Sequence, residues 1–126
     1  MSYEAWGEPD DSPFDAAIEA GWINPVDVSK ALLDVMNERD RQWNEENFDP
    51  KHDDQHQRGE LASAACSYVL ETLRRDGSLV FGSWPAEWDI QWFKPTTPRR
   101  NLVKAAALLI AEIERLDRAE AKTVQP

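Results

Sequence analysis

TPRRNLVKAAALLIAEIERLDRAEA, residues 97–121, decides the fold class. Thr97 offers an oxygen to the first free N–H groups of a helix, and Pro98 suits its first position. Leu102, Val103, Ala106, Leu109, Ile110, Ile113 and Leu116 then recur at helical spacing. This predicts one long helix over 97–121 with an apolar stripe toward the core and Arg115, Asp117, Arg118 and Glu120 toward water. Residues 122–126 are predicted to fray.

Working backward, the chain repeats this logic. Gly59 to Gly77 reads as a second helix, with Leu61, Ala62, Ala65, Tyr68, Val69, Thr72 and Leu73 facing inward. Its small residues Ala62, Ala64 and Ala65 let a neighbouring helix come close. Residues 25–45 read as a third, capped by Asn24 and opened by Pro25. Its inner face is Val28, Ala31, Leu32, Val35, Met36 and Trp43, and its charged outer face holds Lys30, Asp34, Glu38, Asp40 and Arg41. A short helix follows Ser12-Pro13 and stops at Gly21, after which Trp22 and Ile23 pack. Residues 44–58 read as a loop. Leu79–Phe81 reads as an extended piece, and Pro85 opens one or two turns that end at Lys94-Pro95. The fold expected is all-α, a bundle of three main helices and two short ones in one domain over 12–121, behind an acidic flexible tail at 1–11.

Charge is unevenly spread. Residues 1–60 hold 16 acidic and 5 basic side chains, and residues 61–126 hold 8 and 9. An acidic front half repels nucleic-acid backbones, so no direct nucleic-acid partner is expected. One cysteine, Cys66, excludes an intramolecular disulfide; its alanine-rich surroundings predict a buried, inert thiol. The acidic N-terminus does not resemble a signal peptide, and no apolar run approaches a membrane span. A cytoplasmic setting is the expectation.

Four groups of residues carry chemistry. In HDDQH, His52, Asp53, Asp54 and His56 are metal-ligand or polar-pocket types, followed by Glu60. Two histidines alone do not make a zinc site, and HxxxH lacks the glutamate of the metalloprotease motif. The alternative is a charged lead-in to the next helix. On the last helix Glu112, Glu114 and Asp117 stand near one another. Glu60, Glu114 and Asp117, with Glu38, would suit Mg²⁺, or form a solvated face paired with arginines. Lys94, Arg99, Arg100 and Lys104 gather at a helix start, where cations oppose the dipole; a bound phosphate would justify them, as would the acidic loop 49–54. Trp84, Trp88 and Trp92, four residues apart, are core or a surface that stacks a base or a partner.

ERDRQ (38–42), HDDQHQRGELASAA (52–65), WPAEWDIQWFKP (84–95) and RRNLVKAAALLIAEIERLDR (99–118) together resemble a family of small phage and prophage proteins. That family is similar in turn to MazG-like all-α nucleoside triphosphate pyrophosphohydrolases, which bind Mg²⁺ through helix carboxylates. The ERDRQ string matches their opening. The chain departs from them at GEL, which supplies Glu60 alone, and at NLVKAAA, where Asn101 and Lys104 replace acidic positions.

The resemblance implies a phage-type, nucleotide-handling protein, with or without Mg²⁺-dependent cleavage of a pyrophosphate bond. Lys94, Arg99, Arg100, Lys104 and Trp92 would bind the ligand, Glu38, Arg41, His52, Asp53, Asp54 and His56 would form the polar pocket, and Glu60, Glu114 and Asp117 would hold metal. No catalytic residue is assigned. The second reading is a small acidic inhibitor of the anti-defence or anti-CRISPR type, binding a host defence protein through residues 1–60. A homo-oligomer is expected under either.

Overall fold

The computed structural model describes residues 13–124 apart from 23 and 25. The tail at 1–11, Ser12, Ile23, Pro25 and the last two residues lie outside the described residues. All regular structure described is helical: α1 Pro13–Glu19, α2 Lys30–Glu45, α3 Pro50–Asp53, α4 Glu60–Leu73, a 3₁₀ turn Ile90–Trp92, and α5 Pro98–Val124. No helix is long and apolar enough to cross a membrane among the described residues.

α5 begins as its sequence dictates. Thr97 Oγ1 accepts from the Arg100 N–H at 3.1 Å, and Pro98 is the first helical residue. The helix runs three residues past the predicted end. Thr97→Ala should lower the unfolding free energy by about 1 kcal/mol in urea denaturation, the usual cost of an N-cap. No change would show that another group satisfies the first turn.

α4 and α2 both pack on α5. The core is Leu61, Ala64, Ala65 and Tyr68 from α4, Ala105, Leu108 and Ala111 from α5, and Trp88, with Phe48, Trp84 and Phe93 against its edge. Alanines on both helices permit the close approach that the sequence predicts.

Which face of α5 is buried corrects the sequence reading. Val103, Ala105, Ala107, Leu108 and Ala111 are buried together with Arg100, Asn101, Lys104 and Arg115. Of the predicted stripe only Val103 is buried; Leu102, Leu109, Ile113 and Leu116 are exposed. α2 departs further. It starts at Lys30, where Ser29 Oγ accepts from the Leu32 N–H at 3.1 Å; Asn24 caps a local turn instead, accepting from Val26 N–H at 3.0 Å. Its buried residues are Asn37, Glu38, Arg39, Arg41 and Gln42, while Leu32 and Trp43 are exposed. Glu38, Arg39 and Arg41 go inside because each finds an oppositely charged partner there.

Five smaller readings are also corrected. The loop 44–58 contains α3, capped by Asp49, whose Oδ1 accepts from His52 N–H at 2.9 Å. Residues 79–81 form turns, and the turn before Lys94 starts at Ile90, capped by Asp89. Trp22 is 83% exposed. Cys66 is exposed. The stop after α1 is as predicted: Gly21 has φ +79°, a backbone state that glycine adopts freely.

Candidate functional site

The site is built around a carboxylate. Glu38 has no exposed surface. Arg41, one turn on, holds it with two hydrogen bonds of 2.8 Å, from Nε to Oε1 and from Nη2 to Oε2. Gln42 Nε2 donates to Oε2 at 3.1 Å, and Arg100 from α5 donates to Oε1. Burial alone would raise the Glu38 carboxyl, but the Arg41 hydrogen bonds and the charges of Arg41 and Arg100 hold it below the ordinary range. Arg41 is likewise held protonated against burial by Glu38 and Glu46.

Beside this cluster, Lys104 reaches across to the chain that precedes α5. Its Nζ donates to the Lys94 carbonyl at 2.7 Å and lies 5.6 Å from the Tyr68 ring centroid. The Lys94 N–H donates to Tyr68 Oη at 3.1 Å, and Thr96 N–H donates to Asn101 Oδ1 at 2.7 Å. Asn101 and Lys104 thus tie segment 94–96 to α5, and Tyr68 ties it to α4.

A narrow cleft opens over these groups. Its lining combines the polar Glu38, Arg41, Gln42, Glu46, Lys94 and Lys104 with the aromatic Phe48, Tyr68, Trp84, Trp88 and Trp92. Its free volume is about 30 Å³, one water's share of the liquid. Trp84 Nε1, Trp88 Nε1 and Gln42 Oε1 are buried here and have no hydrogen-bond partner among the described residues. Behind the same tryptophans lies a wider apolar groove of about 660 Å³, lined by Val80, Phe81, Ile90 and Phe93.

Burial pushes the Lys104 ammonium down to about 7, with Glu38 pulling the other way and Arg100 and Arg41 adding to the fall. Between pH 7 and 10.5 the unfolded chain therefore binds the Lys104 proton more tightly than the folded one. This contribution to stability is present above 10.5 and lost as pH falls through about 7. Tyr68 acts oppositely. Burial holds it at about 12 against an ordinary 10.0, so its contribution is lost above pH 10. The unfolding free energy should rise from pH 7 to 10 and then decline. Lys104→Met should flatten the rise relative to wild type. A rise of equal slope in that variant would assign it to other groups.

The predicted site residues separate into four places. Glu38, Arg41, Lys94, Lys104 and Trp92 line the cleft, and Arg100 lies beneath it on Glu38. Arg99 turns outward and pairs with Asp34 at 2.8 Å. His52, Asp53 and His56 form a separate chain that meets the cleft through Phe48 and Trp88. Asp54 leaves both, its Oδ1 accepting from Arg118 Nη2 at 2.8 Å. The sequence reading missed Gln42, Tyr68 and Phe48. Gln42, four residues after Glu38 and beside Arg41, was the legible one.

The carboxylates do not fit Mg²⁺. Glu38 is saturated by arginines, Glu60 accepts from Arg58 N–H at 2.6 Å and meets His56 at 3.2 Å, and Glu114 accepts from Arg39 at 3.2 Å. Asp117 is exposed. No group of three or more His, Cys, Asp or Glu side chains is placed to hold a metal ion among the described residues. No family model matches the chain, and neither a curated protein nor a solved structure matches it significantly, so the site is read from its own geometry.

Proposed function

We propose that the protein binds a small anionic ligand with a flat ring, of nucleotide type, in the cleft over Glu38, and that it binds without Mg²⁺-dependent hydrolysis. The observation that carries this reading is the set of buried polar atoms without partners, Trp84 Nε1, Trp88 Nε1 and Gln42 Oε1, from three residues that line one cleft. Each such atom costs about 1–3 kcal/mol when left unmade, so a ligand that meets them recovers that cost. Lys94 and Lys104, which line the same cleft, suit phosphate oxygens. Lys104, depressed to about 7, gains its proton when an anion arrives. The saturation of Glu38 and the engagement of Glu60 and Glu114 speak against metal-assisted cleavage.

As folded, the cleft is too narrow for a base, and Trp92 is its movable wall. It is 49% exposed and sits on a single 3₁₀ turn, with its ring edge-on to Trp88 at 5.9 Å. Rotation of Trp92 joins the cleft to open space and leaves a ring to stack on the base. Self-association belongs to the same reading: Leu102, Leu109, Ile113 and Leu116 are exposed at alternating steps of seven, four and three, the spacing of a helix-pairing seam.

The acidic-inhibitor reading has less support. Asp34, Glu38, Asp53, Asp54 and Glu60 of the acidic half are engaged inside the fold rather than presented.

Thermal unfolding with nucleoside mono-, di- and triphosphates and cyclic dinucleotides tests the proposal. A ligand at 100 times its dissociation constant should stabilise by about 2.7 kcal/mol. Trp92→Ala should abolish that gain with little effect on the free protein, and chromatography should show no product with Mg²⁺. No stabilisation across the panel sinks the reading, and turnover overturns its second half.

A further inference from the structure

His52 lies next to the last residue of α3, and His56 follows the turn after the helix. The Gln55 N–H donates to the His52 carbonyl at 3.1 Å and the His56 N–H to the Asp53 carbonyl at 3.0 Å. These bonds bring the two imidazoles, four residues apart, to one side of the chain. Their Nε2 atoms stand 3.2 Å apart. The outer nitrogens are both on carboxylates: His52 Nδ1 on Asp53 Oδ1 at 3.0 Å, and His56 Nδ1 on Glu60 Oε2 at 3.2 Å.

This arrangement fixes the protons. An ionised carboxylate only accepts, so each Nδ1 carries hydrogen. In a neutral ring the Nε2 then holds a bare lone pair. Two lone pairs at 3.2 Å repel unless a proton or a metal ion lies between them. We infer that His52 and His56 form a two-imidazole site for a divalent transition-metal ion of the zinc, nickel or copper type.

Three observations support a metal ion. Two metal–nitrogen bonds of zinc length at a tetrahedral angle put their nitrogens about 3.3 Å apart. The separation found, 3.2 Å, needs little adjustment. A carboxylate on the outer nitrogen is the arrangement that orients metal-bound histidine and raises its basicity, and both rings have one. The rings are also held in place. Phe48 stacks on His52 at 4.4 Å and 10°, and Trp88 meets His56 edge-on at 5.1 Å. Asp53 is fully buried and anchored by Arg39 Nη2 at 3.2 Å.

Imidazole nitrogen selects such ions over Mg²⁺, which takes oxygen ligands. The side chains of His52 and His56 keep 23% and 21% of their surface exposed, so water completes the coordination. The site therefore binds weakly compared with a closed structural zinc centre, and in the order copper above nickel. It adjoins the nucleotide-type cleft through Trp88 and Phe48 but stands without it.

Isothermal titration of the full chain with Zn²⁺, Ni²⁺ and Cu²⁺, in a Cys66→Ser background that removes the exposed thiol, tests the inference. One ion per chain is expected, with no heat from Mg²⁺. His56→Gln should abolish binding, and Glu60→Gln should weaken it by about 10–100-fold, the usual cost of losing a group behind a metal ligand. The spectrum of the Cu²⁺ complex by electron paramagnetic resonance should show two nitrogen ligands, which guards against a His56→Gln variant that merely misfolds. Absence of binding, with only a proton shared between the rings in nitrogen-15 spectra, overturns the inference. So does binding that His56→Gln leaves unchanged.

Discussion

Glu38→Ala should lower the unfolding free energy by about 3–5 kcal/mol, the cost of removing one partner from a buried ion cluster. The carboxylate has no exposed surface and takes hydrogen bonds from Arg41, Gln42 and Arg100. Its loss leaves two guanidinium groups, at 8% and 2% exposure, without their common counter-charge. Arg41 retains Glu46 at 3.0 Å; Arg100 lies deeper. Guanidinium chloride would screen the ions, so urea melts are the suitable measurement. A triple change of Glu38, Arg41 and Arg100 to methionine should cost less than Glu38→Ala alone, because neither guanidinium is then left buried without its carboxylate. A loss below about 1 kcal/mol in the single variant would mean that water or Glu46 compensates both arginines.

Trp88→Ala should cost about 3–5 kcal/mol as well, through a cavity rather than a charge. Trp88 is 7% exposed and its ring meets Phe48, His52, His56, Trp84 and Trp92. It is a wall of both the narrow cleft and the apolar groove, so its removal joins them. Trp88→Phe should cost distinctly less, since a ring still fills most of the space. Urea melts followed by near-ultraviolet circular dichroism would read both the stability and the loss of the aromatic array. A small effect would show that Phe48 and Trp84 close over the gap.

The helices were legible because their signals are local. Thr97-Pro98, Gly21 and the alanines of α4 lie where their neighbours alone decide the conformation. The short α3 carries a local signal as well, Asp49 before Pro50, set in a polar stretch without helical periodicity. What failed was the choice of buried face. An apolar stripe marks a face that prefers burial; it does not say which face a partner covers. On α5 small alanines, with Arg100 and Lys104, went inward, and the larger Leu102, Leu109 and Ile113 stayed out. Glu38 reads as an outer residue of α2 because the group that justifies its burial, Arg100, is 62 residues away. The basic cluster at the start of α5 was read as one patch, yet one helical turn divides it: Arg100 and Lys104 point to Glu38 and Lys94, and Arg99 to Asp34. In the site, the cleft residues Glu38, Arg41, Lys94, Lys104 and Trp92 were named from sequence, whereas the meeting of the two histidines depends on ring orientations that spacing does not specify.

The ionic seam of α2 against α5 also bears on temperature. Exposure of apolar surface raises the heat capacity of unfolding, and exposure of polar surface lowers it. The side chains that α2 buries are Asn37, Glu38, Arg39, Arg41 and Gln42, so this helix adds little to that increment, while α4 and α5 with their alanines and Leu61 and Leu108 supply it. The stability curve is therefore flatter than an oil-like α2 would give. Cooling weakens the α4–α5 contact first, since hydrophobic attraction fades in the cold. On heating, the desolvation penalty of the ions falls, and the α2 joint holds its strength as the rest of the core approaches its midpoint.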